Sequence, residues 1–157
     1  MGKMLSTNTK VNYKKPFRQR RAEKQQAAKD KALNDLIAEA EGADQAYRIA
    51  RYRKLGGDAW KTAKEYMDNN PAFAKGVKRN YKNSAKWINE MDKGVKPGTS
   101  DNAKPMYEEW QKITDKIFDL FDAKYPNDPE KAGAEYRKAV FGKKPFSKWM
   151  EEKWIKK

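Results

Sequence analysis

The chain has 157 residues, about one domain's worth, and 36 Lys and Arg against 22 Asp and Glu give it a formal charge of +14. That excess favours polyanionic partners, nucleic acid first and an anionic membrane surface second. Cys and His are both absent, which excludes disulfides, thiolate chemistry, Ser-His or Cys-His catalysis and the usual zinc ligands.

Five Trp, eight Tyr and six Phe supply enough aromatic area for one ordered core. No apolar run approaches the roughly 20 residues of a membrane span, and no signal peptide is expected. With no cysteine, the chain fits a reducing intracellular compartment or the inside of a virion.

Residues 1–18 read as a basic flexible arm without periodicity, and 19–157 as a single helical domain, with the loop 94–104 as a sub-boundary. Residues 1–31 hold ten bases and two acids, and Lys14, Lys15, Arg18, Arg20 and Arg21 form the densest cluster. Such an arm either lies on nucleic acid or is solvated chain. Its first residues, MGKMLS, also match the N-myristoylation pattern, with Gly2 and Ser6 in place. An acyl chain with a polybasic patch makes a two-signal membrane anchor.

From Gln19 to about Glu41 the composition is continuously helix-forming, with Ala32, Leu33, Leu36, Ile37 and Ala40 on one face. Gly42 is expected to break this run. A second helix then covers Ala43–Leu55, burying Ile49, Ala50 and Leu55. After the Gly56-Gly57 turn, Asp58 is the expected N-cap of a third helix through Asn69, with Trp60, Ala63 and Met67 inward.

The stretch from Asn70 to Gly94 is the best-formed helix signal. It has Asn70 as N-cap, Pro71 at the first helical position and Gly94 just past the end. At about 100° per residue, Phe73, Val77, Tyr81, Ile88 and Met91 share one face. Lys75, Lys78, Arg79, Lys82, Lys86 and Lys93 share the other, flanked by Asn80, Asn83 and Asn89. Two helices joined by a Gly turn ahead of this basic one also permit a helix-turn-helix reading.

Beyond the loop, Pro105 to about Tyr125 is the most apolar stretch, with Met106, Trp110, Ile113, Ile117 and Leu120 at helical spacing, and is expected to be the central core helix. Asp115, Asp119 and Asp122 on its outer side are interleaved with Lys112 and Lys116, so surface ion pairs explain them better than a Mg²⁺ site. Asp128-Pro129-Glu130 starts the next helix, which Gly142 ends after Phe141. The last segment, FSKWMEEKWIKK, is amphipathic, and its Trp149 and Trp154 are candidates for docking a neighbouring subunit or for closing the chain's own core.

No phosphate-binding Gly-rich loop follows a strand, and no period-2 pattern is long enough to make one. The expectation is an all-α bundle of five to six helices with a basic N-terminal arm, needing no cofactor or metal and not an enzyme. Lysine-rich faces suit point-charge contact with phosphate better than base reading. The function that follows is a structural subunit of a nucleoprotein assembly, a virion or DNA-packaging protein foremost, with nucleic acid and neighbouring subunits as partners. The alternatives are an acylated, matrix-like membrane protein and a helix-turn-helix regulator.

Overall fold

Proline and glycine punctuate the chain wherever the helical hydrogen-bond ladder stops. In the computed structural model, which describes residues 16–154, six α-helices follow one another: α1 (Phe17–Leu55), α2 (Gly57–Asn69), α3 (Pro71–Asp92), α4 (Ala103–Lys124), α5 (Pro129–Phe141) and α6 (Pro145–Trp154). A 3₁₀ turn, Pro97–Thr99, lies between α3 and α4. Among the described residues there is no strand, so the fold is all-α.

The chain divides into two units, Met1–Leu33 and Asn34–Lys157. In the first, helix is already present at Phe17 and Arg18, two positions the sequence assigned to the arm. Arg18, Arg20 and Arg21 are exposed, and the Arg21 guanidinium lies 5.0 Å from the centre of the Phe17 ring. Lys14 and Lys15, like the acylation motif at Gly2, fall outside the described residues.

The expected break at Gly42 is absent. α1 runs through it, because this glycine serves a helix crossing rather than a helix end. A Cβ placed on Gly42 would sit 2.0 Å from the Phe73 carbonyl oxygen, and one on Gly76 would sit 1.9 Å from that of Glu39. Two glycines, one from each helix, thus let the backbones of α1 and α3 touch. Such close approach is the packing use of glycine, and it outweighs the propensity cost inside a helix.

Around this crossing a core cluster joins Ala46 and Ile49 of α1, Ala63 of α2, Phe73 and Val77 of α3, and Phe146 of α6. Phe73 and Phe146 stack with centroids 4.7 Å apart, and Tyr66 meets both edge-on at 5.0 and 5.2 Å. Such pairs add to the burial of their area. Burial, with the nearby Glu41 charge, pushes the Tyr66 hydroxyl up to about 12.

α3 shares the centre of the fold with α4. It buries Phe73, Val77, Asn80, Ser84 and Ile88 along its length and packs against both α2 and α4. α4 buries Ile113, Thr114, Ile117 and Phe121, but leaves Tyr107 and Phe118 exposed. Leu55, expected in the core, is exposed because it ends α1 at the Gly turn.

Caps follow the sequence in part. Asp128 caps α5, accepting from the Lys131 N–H at 3.1 Å. Asn70 precedes α3, yet its amide donates backwards to the Tyr66 carbonyl at 2.8 Å and so finishes α2. Asp58 lies inside the first turn of α2, which starts at Gly57 rather than after Asp58. Likewise α4 begins at Ala103, two residues ahead of Pro105.

Candidate functional site

With the apolar face of α3 against its neighbours, the lysines are forced outward. Lys75, Lys78, Lys82, Lys86 and Lys93 are all exposed. Lys78, Lys82 and Lys86 recur every four residues, about 6 Å apart along the axis. No hydrogen bond or ion pair ties any of these three side chains to another among the described residues. Like charges at this spacing repel by a few tenths of a kcal/mol per pair, so the row is a surface that an anion relieves. Farther along, the outer face is neutralised: Asp92 pairs with Arg51 at 3.6 Å and with Lys54.

Arg79 belongs elsewhere. Its side chain turns from the row into the junction of α1, α3 and α4, and is 28% exposed. One terminal nitrogen donates to Glu39 Oε2 at 2.8 Å; Nε and the other nitrogen donate to Glu109 Oε2 at 3.2 and 2.7 Å. Lys75 adds a longer contact to Glu39, at 3.4 Å. The hydrogen bond from Arg79 holds the Glu109 carboxyl below its usual 4.5. A depressed carboxylate contributes stability above its unfolded pKa and loses it as pH falls through the folded one.

Arg79→Met is therefore expected to cost about 2 kcal/mol at neutral pH, because Glu39, only 6% exposed, is left with Lys75 alone. The difference from the parent should shrink below pH 4.5 as Glu109 takes a proton. Urea unfolding at pH 7 and pH 3.5 checks this.

On the opposite side of α3 lies a cleft of about 580 Å³, walled by α1, α3, α4 and the α5–α6 turn. Asn80 lines it, fully buried, donating its amide to the Ala43 and Met106 carbonyls at 3.1 and 2.9 Å. The sequence placed Asn80 beside the basic stripe, but seven residues from Phe73 is almost two full turns, so it shares the buried face. Glu41, also buried, accepts from the Phe146 N–H at 3.1 Å through Oε1. Burial raises its pKa, an effect partly offset by backbone N–H bonds and by Lys144.

No family model, curated protein or solved structure matches this chain. The site is therefore read from its own residues. Of the candidate docking residues, Trp149 is half-buried, with its indole N–H on the Thr62 carbonyl at 3.3 Å and its ring 5.8 Å from Tyr66. It holds α6 to α2. Trp154 is 47% exposed and borders a shallow groove with Arg48, Tyr52 and Met150. Among the described residues no helix is long and apolar enough to cross a membrane.

Sequence reasoning missed the polar set Glu41, Gln45 and Asn80. A polar side chain in register with Phe73 was the signal for Asn80; nothing local pointed to Glu41, whose partner is 105 residues away.

Proposed function

We propose that this chain is a non-enzymatic subunit of a nucleoprotein assembly that holds nucleic acid by its phosphate backbone without reading sequence. The observation that carries the reading is the row Lys78, Lys82 and Lys86: exposed, repeated on successive turns, and unpaired among the described residues. A helix surface of this kind offers point charges in line, suited to phosphates and carrying no base-specific geometry. The exposed Arg18, Arg20 and Arg21 supply a second set of cations in the N-terminal unit. The +14 charge of the whole chain supports the same polyanionic class.

The test is binding of random-sequence duplex DNA and single-stranded RNA across a salt series. Affinity is expected to fall steeply with salt, and K78E/K82E/K86E to weaken binding by about 100-fold or more. The triple variant should also flatten the log–log salt slope by about 3. Arg79 and Lys75 are left intact, since reversing them would repel Glu39 and unfold the junction. Unchanged affinity and slope in a triple variant with native helix content overturns the proposal. A large preference for one selected duplex over random sequence overturns the claim of sequence tolerance.

A further inference from the structure

Three residues that line the cleft behind α3 each carry a buried side-chain oxygen with no donor: Glu41 Oε2, Gln45 Oε1 and Asn80 Oδ1. Unsatisfied buried polar atoms are rare in native proteins, and each asks for a partner. Here all three ask for the same kind, a hydrogen-bond donor, and no orphaned donor lines the same cleft. The volume of about 580 Å³ is that of a small-molecule site.

The walls narrow the chemistry. Tyr47, Tyr107, Trp110 and Phe141 line the cleft, with Tyr107 57% and Phe141 66% exposed. Exposed aromatic rings lining the same cleft as buried acceptors can receive a cation by its face and its N–H groups together. An ammonium brings three donors and no acceptor, and a guanidinium five. Neither would add an acceptor beside the three present.

Of the cleft's own cations, Lys144 acts through its charge on Glu41 and Asp44 but makes no hydrogen bond to any of the three oxygens. Lys143 pairs with Glu151 at 2.6 Å, and the Lys144 ammonium donates to the Val140 carbonyl. Asp44 adds a second carboxylate to the lining.

We propose that this cleft binds a small organic cation, a primary ammonium or guanidinium carried on an aromatic body, with its N–H groups on Glu41, Gln45 and Asn80 and its ring among Tyr47, Tyr107 and Phe141. The site is independent of the lysine row, which lies on the other face of α3.

The experiment uses the full chain and five probes: benzylamine, 2-phenylethylamine and phenylguanidine, with 2-phenylethanol and phenylacetate as partners lacking the cation. Binding is followed by calorimetry and by fluorescence, to which Trp110 in the wall reports. At least one cation is expected to bind saturably, about tenfold or more tighter than 2-phenylethanol. Glu41→Gln is expected to weaken it by about tenfold, since an amide N–H would then face the cation's donors. Tyr107→Ala, at an exposed wall position, should weaken it severalfold without touching the core, and so carries the test if Glu41→Gln fails to fold.

Absence of saturable binding by all three cations up to about 10 mM, which would mean the oxygens are served by water, overturns the proposal. Equal binding of the alcohol does so too, as does full affinity in folded Tyr107→Ala.

Discussion

Gly76→Ala is expected to destabilise the fold by about 3 kcal/mol or more, and Gly42→Ala by a similar amount. The added methyl would meet backbone at both sites: the Glu39 carbonyl oxygen at 1.9 Å and the Ala43 nitrogen at 2.8 Å from Gly76, and the Phe73 carbonyl oxygen at 2.0 Å from Gly42. Backbone cannot rotate aside as a side chain can, so α1 and α3 must separate. The sign is decisive. Helix propensity alone makes Gly→Ala favourable by about 1 kcal/mol at a mid-helix position, so any loss measures the crossing. For a chain of this size the melting temperature should fall by roughly 6–12 °C. Gly98, in open space, provides the control, and Gly98→Ala should stay within about 0.5 kcal/mol of the parent. The double variant should cost less than the sum, because helices parted by one methyl readily accept the next.

That crossing also shows where the sequence stops being informative. A glycine inside a helical pattern reads as a stop or as a contact point, and the choice depends on a second backbone that only the folded chain supplies. The same limit explains Arg79, whose period places it with the lysines but whose charge is taken by Glu39 and Glu109, 40 and 30 residues away. Locally encoded features were legible: the helical segments, the edges of α3 set by Pro71 and by Gly94 at φ 89°, the Asp128 cap, and the exposure of Lys78, Lys82 and Lys86. The share of the core taken by α3 was not. Apolar content ranks α4 first, yet small residues of α3 such as Gly76 admit the closest backbone approach. The cleft was legible at Asn80, in register with Phe73, and at Gln45, four residues before Ile49, but not at Glu41, whose backbone partner is 105 residues away.

The second large effect is expected at Phe146, which connects the last helix to the rest. Its ring is fully buried, stacked on Phe73 at 4.7 Å and edge-on to Tyr66 at 5.2 Å, and its N–H is held by Glu41. α6 has 10 residues, too few to persist as a helix unless something packs it. Phe146→Ala should therefore remove both a ring and the reason for α6 to dock, at about 4 kcal/mol. Denaturant unfolding measures the loss, and its slope separates two outcomes. A smaller slope means α6 has already come away in the native state, whereas an unchanged slope means the cavity alone was created. Tyr66 offers an independent reading, because its hydroxyl stands near 12 through burial and the neighbouring Glu41. If α6 leaves, ultraviolet titration should bring that phenol back towards 10. Trp154→Ala, at the exposed end of the same helix, should change stability by less than about 1 kcal/mol. Equal costs at the two positions would mean that the Phe73–Phe146 stack does not anchor the helix, and that Trp149 on Thr62 holds it instead.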